Sequence, residues 1–280
     1  MQSTIIKSCI SKCEYSTLDS AQLRDRFLLE NLFQGGTCSL AYWEVDRAII
    51  GSAVPLEDAL SLEVSKELLA ADYFCERREL GVINLGGSGS IKTDEQTWAL
   101  DVCACLYIGR GTRSIQFRSD DSTNPAKFYL VSYPAHKEYP TALSTQETAN
   151  KITLGSQEAA NVRTIYQHIH PHGVQSCQLV LGYTDVAEGS VWNTMPPHTH
   201  LRRSEIYNYF DLTDDNCIMH FMGPPDASRN LVVRNLQPVL SPPWSIHSGV
   251  GTACYKFVWA MGGENQQFDD MDGVPLTLLK

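Results

Sequence analysis

A chain of 280 residues, 43% hydrophobic and 19% charged, has ample apolar surface for one large domain or two of ordinary size, and it is unlike a disordered protein. Its formal net charge of −10, from 22 basic and 32 acidic residues, argues against general nucleic-acid or anionic-membrane binding, and no apolar run approaches a membrane span. The opening MQSTIIKSCISKCEY lacks the apolar stretch of a secretory signal, so the nine scattered cysteines are expected as reduced thiols in a cytoplasm.

The first predicted element is a helix. Asp19 followed by Gln22 reads as a capping box, and Leu18 with Leu23 as the hydrophobic staple beside it. Leu23 and Phe27 then share one face, and Gly35-Gly36 marks the exit. A second short helix is expected around residues 63–70. The remainder reads mainly as strands between Gly, Pro, Asn and Asp turns, at 81–85, 103–108, 127–132, 178–183, 205–210, 216–222 and 254–261. That rhythm favours an all-β sandwich or barrel over alternating α/β units. Cys103 and Cys105 are expected as core residues on one strand face. Gly86-Gly87-Ser88-Gly89 is read as a tight turn, because no Lys-Ser/Thr pair or helix start follows to make it a phosphate loop.

Arg77-Arg78-Glu79-Leu80-Gly81-Val82-Ile83-Asn84-Leu85 is echoed, with one residue of slippage, by Arg202-Arg203-Ser204-Glu205-Ile206-Tyr207-Asn208-Tyr209-Phe210. Each is followed by further short strands and a Gly-bearing loop, as two related β-barrel halves would require. The boundary is expected near residues 140–160, with the polar segment 142–150 as connector, dividing the chain into 1–150 and 151–280. Only His136 lies in residues 1–150, so the first half lacks the imidazoles that the second half has.

Those imidazoles occur as His198-x-His200-x4-Glu205, with His247 further on. Two His at i and i+2 of a strand face the same side, and with Glu205 and His247 they would complete a three-nitrogen, one-oxygen shell suited to zinc, iron, manganese or nickel; packed or surface histidines are the other reading of the same residues. From Glu205 onward, Tyr207 and Tyr209 would share its face; Tyr207 is read first as a packed barrel tyrosine with its hydroxyl bonded, and otherwise as the candidate proton carrier. Ser245 would share a face with His247, either to orient substrate or simply to hydrogen-bond inside the barrel. Arg163, Arg202 and Arg203 are candidate carboxylate clamps, with surface placement expected for at least two of them. His168, His170 and His172 are read as surface residues beside a Pro171/Gly173 loop, Asp269, Asp270 and Asp272 as a solvated turn, and His220 as a hydrogen-bonded core or edge residue.

At these residues the chain resembles a known family. H-x-H-x4-E with a distant His is similar to the cupin metal motif, although Trp244 stands where cupins generally carry a Gly three residues before the last His. More specifically, the chain resembles the 5-keto-4-deoxyuronate isomerase family. The stretches that carry the likeness are 26–30, 76–84, 191–196, 198–205, 241–251, 263–266 and 269–272, in the same order through nearly the whole chain. The resemblance implies an all-β bicupin with a few short helices, its first barrel degenerate and its second binding one zinc ion through His198, His200, Glu205 and His247. It also implies a soluble, cytoplasmic, hexameric bacterial enzyme of pectin-derived uronate breakdown. Its reaction would interconvert 5-dehydro-4-deoxy-D-glucuronate and 3-deoxy-D-glycero-2,5-hexodiulosonate; Arg163 and Ser245, read from the residues alone, are the candidate substrate contacts. Two other readings of the same ligands stay open: a metal-dependent cupin dioxygenase and a non-catalytic carbohydrate-binding bicupin.

Overall fold

The computed structural model describes residues 2–280, and among these the chain forms two compact units. Unit 1 comprises residues up to Lys7, Asn31–Ala149 and His168–Val180; unit 2 comprises Ser8–Glu30, Asn150–Gln167 and Leu181–Lys280. Short segments on either side of the midpoint are therefore exchanged between the two parts of the sequence. Both units are built from antiparallel sheets, with one parallel pair, Gln2–Lys7 on Thr37–Trp43. No helix among the described residues is long and apolar enough to cross a membrane.

In unit 1, a seven-stranded sheet runs in the order Gln2–Lys7, Thr37–Trp43, Ala48–Val54, Phe128–Pro134, Arg78–Asn84, Cys105–Ile108 and Ala142–Ser144. A four-stranded sheet (Leu60–Ser61, Ile115–Ser119, Gly89–Thr93, Gln96–Leu100) supplies the second layer. Alternation along the strands delivers Leu80, Val82, Leu106, Ile108, Ile91, Phe117, Phe128 and Leu130 to one buried cluster, which is what holds the two sheets together. The Gly86–Gly89 turn is a close backbone crossing: a Cβ on Gly87 would sit 2.0 Å from the carbonyl oxygen of Asn124. Cys105 begins its strand, whereas Cys103 precedes it in a left-handed conformation (φ 64°), so the two are buried but do not alternate along one strand. The segment read as a connector contributes the edge strand Ala142–Ser144.

Unit 2 has a six-stranded sheet, Asn150–Leu154, Arg163–Ile169, Val180–Val186, Lys256–Gly263, Arg203–Phe210 and Gln237–Ser241, and a four-stranded sheet, Trp192–Asn193, Ile246–Gly251, Ile218–Gly223 and Arg229–Val233. The predicted N-terminal helix is Ser20–Phe27. Its Asp19 side chain accepts from Gln22 N at 2.7 Å while Gln22 returns the bond to Asp19 N at 2.9 Å. The helix is held on unit 2: Arg24 donates to the Val232 carbonyl, and Arg229 donates to the Leu18 carbonyl. Tyr15 and Phe27 pack edge-on against Trp244, with centroids 5.3 and 6.2 Å away. The Trp at the position where cupins carry Gly is thus an anchor for the exchanged N-terminal segment. The second predicted helix is a single turn, Lys66–Leu69, capped by Ser65.

Candidate metal centre

The strand Arg203–Phe210 is paired on both sides, by Gln237–Ser241 and Lys256–Gly263, so all eight of its residues are buried. Alternation then sends Glu205 and Tyr207 to the same face. His247 comes from the four-stranded sheet, on Ile246–Gly251, opposite Met222. His198 lies on the short strand His198–Thr199, which pairs with Asp272–Gly273, and His200 follows it.

These four side chains converge, their ligand atoms all within 4.8 Å of one another, and among the described residues they form the one cluster of this kind. His247 Nε2 is 2.8 Å from Glu205 Oε2 and 2.9 Å from His198 Nε2; His200 Nε2 is 3.0 Å from the same carboxylate oxygen. His200 Nδ1 lies 2.9 Å from the Arg203 carbonyl, which can only accept, so that nitrogen carries the proton. Nε2 of a neutral His200 therefore aims a lone pair at a carboxylate, a contact that is favourable only with a proton or a cation between the two. His247 Nε2 can carry at most one proton yet faces two acceptors. The donor set, three imidazole nitrogens and one carboxylate oxygen in a dry environment with a carbonyl fixing one imidazole from behind, fits a divalent transition metal.

The electrostatics of the metal-free shell agree. Burial alone would raise the Glu205 carboxyl, but the His247 charge and hydrogen bonds from His200 and His247 hold it well below the usual range. His198 is pushed down to about 3 by burial and then by His247, leaving a neutral ligand. For His200, burial opposes the charge but the Glu205 hydrogen bond and charge outweigh it, so its pKa is raised.

A cavity of about 270 Å³ opens beside the cluster, lined by His198, Glu205, Tyr207, Arg163, Thr194 and an apolar wall that includes Trp259 and Met261. Trp259 reaches this position because Gly182 has no side chain: a Cβ there would meet the indole at 2.4 Å. Its Nε1 donates to Thr184 Oγ1 at 3.2 Å. Tyr207 is 3% exposed, with its hydroxyl 3.1 Å from Thr194 Oγ1. Burial, then the Glu205 charge, raise its pKa well above the usual phenol value, so it is a protonated phenol. The half-buried Arg163 guanidinium faces the cavity and also donates to the Asn161 carbonyl at 2.9 Å.

Several sequence expectations are revised. Of the two readings of Ser245, the hydrogen-bonding one is what the structure has: its Oγ accepts from Gly223 N and donates to the Ile246 carbonyl, and it does not line the cavity. Of the three candidate arginines, Arg203 is the fully buried one, with its guanidinium donating to the carbonyls of Gln267 and Asp270. The acidic turn is not simply solvated, because Arg202 pairs with Asp270 and Asp272 at 2.6 and 3.0 Å. That ion pair ties the segment carrying Phe268 and Met271 to the cavity rim. His168 and His170 are buried, 1% and 7% exposed, since the strand Arg163–Ile169 continues through His168, whose Nδ1 meets Ser144 Oγ; only His172 is exposed. His220 is a core residue bonded to the Tyr209 hydroxyl at 2.8 Å, as expected. Thr194, Thr184 and Trp259 were missed as cavity residues, and nothing in their local spacing distinguishes them from ordinary strand residues.

All-β units, one of which carries a three-histidine, one-glutamate cluster able to hold a metal ion, define a cupin-like fold. The sequence model of the KduI/IolB family matches residues 34–274, and the chain belongs to that family. A Caldicellulosiruptor bescii protein named 4-deoxy-L-threo-5-hexosulose-uronate ketol-isomerase is 49% identical over 275 residues, 98% of this chain and 99% of that one. Among solved structures, an IolB-like protein from Salmonella typhimurium LT2 superposes with TM-score 0.70 at 12% identity, over 89% of this chain and 96% of that one. The oxalate decarboxylase of Lactobacillus farciminis superposes with TM-score 0.54 at 8% identity over 78% of each chain, a likeness of fold alone.

Proposed function

We propose that this chain is a zinc-dependent ketol-isomerase interconverting 5-dehydro-4-deoxy-D-glucuronate and 3-deoxy-D-glycero-2,5-hexodiulosonate. The observation that carries the reading is the convergence of His198, His200, Glu205 and His247 beside a cavity that also holds a guanidinium and a protonated phenol. High identity to relatives named as ketol-isomerases supports it. The four clustered residues hold one ion per chain. When bound, a divalent cation supplies Lewis acidity to a carbonyl and its neighbouring hydroxyl, easing loss of the intervening carbon-bound proton.

The chain's own residues do the rest. Arg163 is the partner for the uronate carboxylate, and its guanidinium fork sets which end of the substrate enters first. Tyr207, held by Thr194, donates a hydrogen bond to the substrate oxygen on which negative charge builds as the carbon-bound proton leaves, and keeps its own proton; a base is not its role, since burial keeps it protonated. Met195, Trp259, Met261 and Phe268 exclude water from the reacting carbons. Unit 1 is a metal-free structural barrel, and the working form is a cytoplasmic homo-hexamer with no nucleic-acid or membrane partner. The test is turnover of the unsaturated-galacturonate breakdown product in deuterium oxide, followed by NMR. Deuterium should enter at the former aldehyde carbon, and turnover should persist without oxygen. Absence of turnover under anaerobic conditions, restored by oxygen, would replace the isomerase with a dioxygenase.

A further inference from the structure

Unit 1 contains a second cavity, of about 240 Å³, walled by the Val45–Arg47 turn, the single helical turn Lys66–Leu69, the start of the strand Arg78–Asn84 and Pro134. Three arginines line it, Arg47, Arg77 and Arg78, together with Tyr42, and no carboxylate does. In a chain with net charge −10, three guanidinium groups around one small void repel one another with no lining acid to offset them. Arg78 is the informative member because it is only 6% exposed. Its Nε donates to Ser132 Oγ at 3.0 Å, and its Nη2 to the carbonyls of Arg47 and Ser132 at 2.6 and 2.9 Å. None of these partners carries charge. Burial lowers its pKa to about 10, with phenols and a thiol as the nearby groups that favour the cation.

A buried guanidinium fixed on its Nε and Nη2 edge, with carbonyl partners only, leaves its positive charge uncompensated. Arg47 and Arg77 are exposed, and Arg77 meets one carboxylate, that of Glu76, at 3.3 Å. The arrangement has the form of an anion cradle: one buried guanidinium at the base, two exposed arginines at the rim and the Tyr42 phenol beside them. The apolar side of the cavity, with Leu68, Leu69 and Phe74, limits the ligand to a compact body.

We propose that this cavity is a binding site for a small oxyanion, the head group of a carboxylate, phosphate or sulfate, distinct from the metal centre of unit 2. Bound there, the anion stabilises unit 1 by neutralising Arg78 and bringing in the rim arginines.

The test uses the full-length, metal-loaded protein, with inorganic phosphate, sulfate and glucuronate as probes, titrated calorimetrically at constant ionic strength against chloride. Arg163→Met serves as the background that removes the guanidinium of the metal-side cavity. Saturable binding should survive in Arg163→Met, weaken roughly tenfold in Arg47→Gln and in Arg77→Gln, and raise the melting temperature with anion concentration. Both rim substitutions are at exposed residues and leave the fold intact. Arg78→Lys, which keeps the charge but loses the fork and its bonds to Ser132 and the Arg47 carbonyl, should weaken binding further and lower the anion-free melting temperature, so the rim variants carry the test. No saturable binding of any of the three anions would overturn the proposal. Equal binding by wild type, Arg47→Gln and Arg77→Gln, or loss of all binding in Arg163→Met alone, would do so as well.

Discussion

Glu79 occupies in unit 1 the echo of the metal-ligand position Glu205, and its environment dictates what happens when it is changed. Its Oε1 accepts from the backbone N–H of Gln178 and Leu179 at 2.7 and 2.8 Å, and its Oε2 from Cys177 N at 2.6 Å and the Tyr107 hydroxyl at 2.8 Å. The side chain is fully buried, so four donors depend on one carboxylate. Glu79→Gln keeps the shape but turns an NH2 group toward one of the two donor pairs. With Oε2 replaced, Tyr107 can rotate to accept, but Cys177 N loses its partner; with Oε1 replaced, two N–H groups lose theirs. An unmet buried donor costs about 1–3 kcal/mol, and loss of the charge weakens the two bonds that remain, so the substitution should destabilise by about 4 kcal/mol. For a unit of this size that lowers the melting temperature by roughly 8–16 °C. Urea and thermal unfolding, followed by circular dichroism, measure it, and metal content should stay at the wild-type value because the ligands lie in unit 2. A Glu79→Gln protein within about 1 kcal/mol of wild type would refute the clamp.

Further outcomes follow from the site and the buried imidazoles. In metal-free protein His200 holds a proton more tightly than usual because of Glu205, so metal loading must release it. Apparent affinity should fall about tenfold per pH unit once the pH drops below the His200 pKa; calorimetry in two buffers of different ionisation enthalpy should detect the proton, and its absence would show that His200 is already neutral. His168 and His220 are pushed down to about 4 and about 3 by burial, so both stay neutral in the folded chain while the unfolded chain protonates below the usual value of 6.5. Stability is therefore lost as pH falls from 6.5 towards 4, by up to about 1.4 kcal/mol per pH unit for each imidazole. Urea midpoints across that window should show the slope, and His168→Asn should remove about half of it. Tyr207→Phe should lower kcat by roughly 100-fold with metal content unchanged, whereas Arg163→Met should act mainly on KM; steady-state kinetics separates the two, and an unchanged kcat in Tyr207→Phe removes the phenol from the reaction.

What could be read from the sequence was local. The Asp19–Gln22 box and the same-face placement of Glu205 and Tyr207 depend on spacing within a few residues, and both are present in the structure. The strand Arg163–Ile169 was not read from the sequence, where the Pro171/Gly173 loop made His168 and His170 look exposed; their burial depends on Ser144 and other neighbours from elsewhere in the chain. Arg203 illustrates the same limit. The sequence left open which of Arg163, Arg202 and Arg203 turns inward, and only the distant carbonyls of Gln267 and Asp270 make the burial of Arg203 tolerable. The passage of Ser8–Glu30 into unit 2 has no local signature at all, because it rests on Tyr15 and Phe27 meeting Trp244 more than two hundred residues away.

The central claim is that four side chains hold one ion and that this ion is required for turnover. The most direct measurement is a zinc titration of chelator-stripped protein, with bound metal by elemental analysis and isomerase rate read from the same samples. Rate and occupancy should rise together and saturate at one equivalent per chain, and the His198→Ala, His200→Ala double variant should gain neither while retaining its folded circular dichroism spectrum. Full activity in the stripped protein, or full occupancy in the double variant, would contradict the account.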